Sequence, residues 1–241
     1  MKEIKINDYL FVYQFEPNND TPLGRNIYLI KGIDDCILID TGFPKDILQI
    51  KHILAKYQLQ YVILTHSHID HCYGLLNLPK AKVIGSIYYR DSLPVLSVTK
   101  LKQFEPKIKI SKETNMKFHN HRINLKPLKG HSKSDIFITL DNKYVFIGDN
   151  LIMTNQGKQS IPYISCTLND HFKSLNYIKS FSNKKALLPS HGTLLSKNID
   201  CFINNAIMYL KFLEKKESSI ELFYKEGNCE FANDKWHKYN L

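Results

Sequence analysis

Three imidazoles and a carboxylate fall within six residues in Thr65-His66-Ser67-His68-Ile69-Asp70-His71, directly after the apolar run Tyr61-Val62-Ile63-Leu64. Neutral imidazole and carboxylate are ligands that zinc, iron and manganese all accept, so a metal site is expected here. His66 and His68 can reach one cation, while Asp70 and His71, one step further round the turn, reach a second. A His-rich polar loop without chemistry is the plain alternative, and the strand before the turn argues against it.

Three other segments offer ligands of the same types. Gly130-His131-Ser132 precedes the apolar run Ile136-Phe137-Ile138. Gly148-Asp149-Asn150 ends the run Tyr144-Val145-Phe146-Ile147, and Ser190-His191-Gly192 follows Ala186-Leu187-Leu188. Each candidate lies where a strand gives way to a loop beside a glycine, so the backbone can turn sharply toward a cation.

The elements that must hold these residues alternate between strand and helix. Apolar spacing predicts helices over about Asp46 to Gln58, Asp170 to Phe181 and Asp200 to Lys216, each presenting one apolar stripe to a core. Ile136 to Ile147 reads as a hairpin turning at Asp141-Asn142. The segment after Leu78 carries Lys100, Lys102, Lys107, Lys109, Lys112 and Lys117 and is expected to be irregular.

The ordered set, a His-x-His-x-Asp-His turn followed by a lone His, an Asp and a final His, resembles the metallo-β-lactamase-fold hydrolases over about Asn26 to Gly192. The resemblance implies an α/β (α+β) four-layer αββα sandwich in one domain over 1–241, with 92–120 as a lid and 197–241 as a helical cap. Carried over, His66, His68 and His131 hold a first metal, Asp70, His71 and His191 hold a second, and Asp149 bridges the two. Asp40, in the Asp40-Thr41-Gly42 turn after Cys36-Ile37-Leu38-Ile39, is implied to orient a ligand imidazole through its free ring nitrogen.

Two divalent cations about 3.5–4 Å apart can share a hydroxide and stabilise charge on an attacked oxygen, so hydrolysis is the expected reaction, with Asp70 and Asp149 as the catalytic carboxylates. Zinc is the expected metal; iron and manganese accept the same set. His68 stands where relatives that reduce oxygen or nitric oxide have Glu and a flavin domain, so a redox role ranks below hydrolysis. Glyoxalase-II-like thioesterases share the pattern but carry a larger helical C-terminal part. Acyl-homoserine lactonases place a Tyr three residues after the bridging Asp, where this chain has Ile152; Tyr73 and Tyr163 are candidates to replace it. The main reading is a hydrolase of a small ester, lactone or thioester. A phosphodiesterase or nuclease of the same fold and a non-catalytic ligand sensor are the alternatives.

The formal net charge of +10 is diffuse, and among 33 basic residues only Arg25, Arg90 and Arg122 are arginine. A basic lid would steer an anionic small molecule to the cleft; neither a nucleic acid nor a membrane is the expected partner. No signal-peptide stretch follows Met1, which gives a cytoplasmic expectation. Cys36, Cys72, Cys166, Cys201 and Cys229 lack paired spacing, so no disulfide framework or zinc ribbon is expected. Cys72 reads as a packed thiol. The pair His119 and His121 lacks an Asp-His continuation and reads as surface or rim, and His171 is placed near the site entrance at a helix start.

Overall fold

The structure is a computed structural model that describes residues 1–17, 23–78, 81–93, 102–160, 165–195 and 199–214. Among these residues, one sheet takes the strand order β1 (Lys2–Lys5), β2 (Leu10–Phe15), β3 (Arg25–Lys31), β4 (Asp35–Ile39), β5 (Gln58–Ile63), β6 (Lys82–Ser86), β7 (Ile108–Ile110). β1 to β4 form an antiparallel meander, and β5, β6 and β7 then run parallel to β4. A second sheet joins β8 (Thr114–Phe118), β9 (His121–Pro127), β10 (Ile136–Leu140) and β11 (Tyr144–Gly148), with β14 (Ala186–Pro189) parallel to β11. A small hairpin pairs β12 (Ile152–Met153) with β13 (Gln159–Ser160).

The period of two along each strand sorts residues into layers. Ile37 and Ile39 of β4 meet Tyr144 and Phe146 of β11 in a core between the sheets. Their neighbours Cys36 and Leu38 face α1 (Pro44–Leu54) through Ile47, Ile50 and Leu54. Val145 and Ile147 face α3 (Leu168–Lys179) and α4 (Ile199–Glu214) through Leu175, Ile178, Ile203 and Leu210. Both sheets are thus covered on both faces, which gives the expected αββα order. Ile37, Ile39 and Phe146 are fully buried, and each contributes about 1.5–3 kcal/mol relative to exposure.

Element ends differ from the sequence expectation where tertiary pairing claims a residue. α1 stops at Leu54 because Gln58 pairs with Asp35 at the start of β5, which puts Tyr57 in the turn between them. α3 starts earlier than expected because the Thr167 hydroxyl caps it by accepting from the Asp170 N–H at 3.1 Å. Asp141 and Asn142 form the hairpin turn with φ of 53° and 54°, the backbone that short hairpins favour. The lysine-rich segment is not irregular throughout, since residues 108–110 and 114–118 are β7 and β8. Ile110 and Phe118 there point into the core while Lys109 and Lys117 face solvent.

Cys36, Cys72, Cys166 and Cys201 are free thiols, and Cys72 is packed in the layer under α1. Cys229, Tyr163, Lys100 and residues 215–241 of the expected cap lie outside the described residues. No described helix is long and apolar enough to cross a membrane.

Candidate metal centre

One end of the sandwich collects every candidate ligand. The carboxyl ends of β4 and β5 supply Asp40 and the 65–71 turn, and those of β11 and β14 supply Asp149 and His191. β10 runs antiparallel to β11, so the loop before it brings His131 to the same end. The sheets are stitched there by the Ile136 N–H donating to Thr65 O at 2.7 Å and the Asn26 N–H donating to Ser190 O at 2.8 Å. α2 (Ile69–Cys72) starts immediately after His68, which turns Asp70 and His71 to a different point from His66 and His68. Two of the flanking glycines serve as expected, since Gly148 and Gly192 have φ of 56° and 70°.

The expected residues come together in three overlapping groups whose ligand atoms lie within 4.8 Å of one another: His66 with His68 and His131, His66 with His71 and Asp149, and Asp70 with His71 and His191. In the first, His68 Nδ1 is 3.0 Å from His66 Nε2 and 2.9 Å from His131 Nε2. Asp149 Oδ2 sits at the centre, 3.2 Å from His191 Nε2, 3.4 Å from His71 Nε2, 3.7 Å from His131 Nε2 and 3.8 Å from His66 Nε2. Asp70 Oδ2 closes the open side, 3.4 Å from His191 Nε2 and 3.5 Å from His71 Nε2.

Burial drives His66 and His131 well below the ordinary imidazole value and lowers His68. Burial also opposes charge on His71, but the Asp70 and Asp149 carboxylates outweigh it and raise that group. Asp149 is held well below the carboxylate range: burial would push it up, and His191, His71 and His66 overcome that. The carboxylates are therefore ionised and the first three imidazoles neutral, the forms that bind metal. His71 Nε2 and Asp149 Oδ1 are buried with no hydrogen-bond partner among the described residues. Imidazole and carboxylate lone pairs that converge in a buried cluster fit divalent cations, and these residues could hold them.

Behind the cluster, Asp40 is held at φ 59°, a conformation that Asp tolerates better than most residues. Its carboxylate accepts from the Thr65 N–H at 2.8 Å, the Thr65 hydroxyl at 2.7 Å, the Ser190 hydroxyl at 2.9 Å and His71 Nδ1 at 3.0 Å. His191 Nδ1 donates to Gly24 O at 2.7 Å, which leaves Nε2 to face Asp149. Asp46, buried at the start of α1, accepts from Arg25 at 2.8 and 3.0 Å and so holds β3 beside the site. Thr65, Ser190, Gly24 and the Arg25–Asp46 pair carried no sequence signal.

The other candidates lie elsewhere. His119 bonds Asp35 and His121 bonds Asp141, each at 2.7 Å, at the opposite end of the strands. His121→Ala is accordingly expected to leave bound metal per chain unchanged; loss of an ion in elemental analysis would overturn this placement. Tyr73 stacks on Phe104 with ring centres 5.1 Å apart and packs against the core layer under α1. His171 is not at the entrance: it is buried, with Nε2 3.3 Å from Asn150 O, because capping by Thr167 puts it on the inner face of α3.

Burial pushes His171 down to about 4 from the ordinary imidazole value of 6.5. The fold requires it neutral, so its contribution is complete above pH 6.5 and is lost as pH falls toward 4, by about 3 kcal/mol in all. Urea unfolding of metal-free protein at pH 7 and 4.5 should show His171→Gln losing about 2–3 kcal/mol less than wild type on acidification. Equal losses would mean that His171 does not titrate in this way.

The model of the metallo-beta-lactamase superfamily matches residues 20–191. A hydroxyacylglutathione hydrolase of Buchnera aphidicola subsp. Schizaphis graminum is 29% identical over 162 residues, 67% of this chain and 59% of that protein's length. Hydroxyacylglutathione hydrolase 1 of Vibrio vulnificus is 27% identical over 201 residues, covering 80% of this chain and 74% of the relative. A solved metallo-beta-lactamase from Pontibacter korlensis superposes with a TM-score of 0.68 at 17% identity, covering 87% of this chain and 98% of the other, which shows the fold. By its sequence match and its fold, the chain belongs to the metallo-beta-lactamase superfamily.

Proposed function

We propose that this chain is a metal-dependent hydrolase of a small ester, lactone or thioester, with His66, His68 and His131 holding one ion, Asp70, His71 and His191 a second, and Asp149 shared between them. The observation that carries this reading is the convergence of five imidazoles and two carboxylates on one end of the sandwich around Asp149 Oδ2. The thioester is the favoured class, because the relatives of Buchnera and Vibrio are named hydroxyacylglutathione hydrolases. Zinc is the expected metal.

Divalent ions in such a site supply a water-derived nucleophile at neutral pH and a Lewis acid for the attacked carbonyl. The protein's own residues prepare that chemistry. Asp149 offsets the positive charge at the centre, and Asp70, whose side chain is 27% exposed, is the carboxylate that faces an arriving substrate. In that position its oxygen not used on an ion would accept a hydrogen bond from an attacking water and orient it toward the carbonyl carbon. The hydrogen bonds from His71 Nδ1 to Asp40 and from His191 Nδ1 to Gly24 O occupy the outer ring nitrogens and leave Nε2 as the atom that would bind an ion.

The test is turnover by purified, metal-loaded protein of thioesters, lactones, carboxylic esters and bis(p-nitrophenyl) phosphate, with metal content measured on the same sample. Hydrolysis of a carbonyl substrate with two ions per chain is expected from a two-metal site. Turnover of the phosphodiester alone would replace this reading with a phosphodiesterase, and full metal load without any turnover would replace it with a sensor.

A further inference from the structure

A buried polar network lies behind His131 and plays no part in the mechanism above. Asp135, 3% exposed, accepts from the Ser132 hydroxyl at 2.6 Å, the Ser132 N–H at 3.1 Å and Asn150 Nδ2 at 3.2 Å. Asn150 Nδ2 also donates to Ile147 O at 3.0 Å, while Asn150 Oδ1 accepts from the Ser174 hydroxyl at 2.7 Å and the His131 N–H at 3.3 Å. Both donors and both acceptor sites of the amide are then in use. Asp135 and Ile147 O each accept from Asn150 Nδ2 while the His131 N–H donates to its Oδ1, so these three groups together fix which end of Asn150 faces His131. A second branch runs forward from the same loop. Ser132 Oγ lies 3.0 Å from Ser134 Oγ, and Ser134 Oγ accepts from the Ser67 N–H at 3.0 Å, between His66 and His68.

We propose that Asp135 is a positioning residue for the metal centre, fixing the 131–135 loop against Asn150 and Ser67 so that His131 Nε2 meets His66 and His68. The inference rests on the reading that these three imidazoles share an ion. All of Asp135's hydrogen-bond partners are neutral, and burying an anion among neutral groups is costly. A residue kept only for packing would avoid that cost. Burial accordingly pushes this carboxyl up to about 7. The network also explains Gly130, where a side chain would strike Asn150 Oδ1 and Ser174 Oγ.

Asp135→Asn preserves shape but turns a donor toward the donors of Ser132 or Asn150, which loosens the 131–135 loop from Asn150. We expect Zn²⁺, measured by chelator competition, to bind about 10–100-fold more weakly at one of two sites. The visible spectrum of the Co²⁺-loaded variant should change with it. Both readouts report ligand placement, which a role confined to stability would leave alone. Wild-type affinity and spectrum in a folded Asp135→Asn would overturn the proposal, whatever its melting temperature. Should that variant not fold, Ser132→Ala decides: it removes the 2.6 Å bond to Asp135 together with the Ser132 Oγ contacts to Ser134 Oγ at 3.0 Å and to the Ser134 N–H at 3.1 Å, and a several-fold weaker Zn²⁺ site is expected, with unchanged affinity again fatal. Wild-type protein that binds no Zn²⁺ would sink the proposed function itself, whereas normal wild-type binding with unaltered variants sinks only this inference.

Discussion

Asp149→Ala is expected to bind less than one ion per chain and to lose hydrolysis by on the order of 10³-fold or more, the scale of removing a key charged group from an active site. The expectation follows from where Oδ2 stands, within 3.8 Å of the Nε2 atoms of His66, His71, His131 and His191. No other described carboxylate reaches both groups; Asp70 approaches only His71 and His191. Without Asp149 two cations would have no shared anion to offset their repulsion. Stability should fall as well in metal-free protein. His191, His71 and His66 hold Asp149 well below the carboxylate range despite its burial, so the ionised group stabilises the fold at neutral pH and its removal leaves the His71 and His191 imidazoles without their counter-charge; metal-free Asp149→Ala should unfold below the temperature of metal-free wild type. Elemental analysis, a thioester assay and paired melts check all three. A variant that keeps two ions and full activity would remove Asp149 from the site.

The seven proposed ligands were legible because their residue types are rare together and each sits next to an apolar strand. The turn at Asp141-Asn142 was legible for a local reason as well, since both residues tolerate positive φ. What holds the ligands was mostly not legible. Thr65, Ser190, Asn150 and Asp135 are ordinary polar residues whose partners are set by tertiary approach; Ser190 meets Asp40 across 150 positions of sequence. Asp135 in particular stood in plain view after the Gly130-His131-Ser132 segment, yet only the folded loop shows three donors turned on it. The end of α1 was misjudged because apolar spacing continues to Tyr57 while sheet register takes Gln58. β7 and β8 were masked by lysines on their solvent faces, where local charge density outweighed a short alternation of Ile108 with Ile110 and Met116 with Phe118.

Asp40 gives the second large effect, and two substitutions separate its two tasks. Its Oδ2 accepts from His71 Nδ1 and from the Thr65 hydroxyl, whose oxygen is in turn 3.2 Å from His66 Nδ1. One carboxylate therefore sets the tautomer of His71 directly and that of His66 through Thr65. Asp40→Ala removes four hydrogen bonds and puts Ala at φ 59°; a loss of about 3–5 kcal/mol is expected from stranded buried donors and backbone strain. Asp40→Asn behaves differently. Asn tolerates the same backbone, its Oδ1 still accepts from the Thr65 N–H, and the Thr65 and Ser190 hydroxyls can rotate to accept from its amide. His71 cannot adapt so cheaply: to accept that amide its Nδ1 must lose the proton, which moves to Nε2 and blocks the lone pair aimed at Asp149 and Asp70. Asp40→Asn should thus fold within about 2 kcal/mol of wild type yet hold the ion of the Asp70, His71 and His191 group about 10–100-fold more weakly. Urea melts and Zn²⁺ competition on both variants distinguish the tasks. Full Zn²⁺ affinity in Asp40→Asn would show that the tautomer is set by something other than this carboxylate, and loss of the fold in both would reduce Asp40 to a structural clamp between β4, β5 and β14.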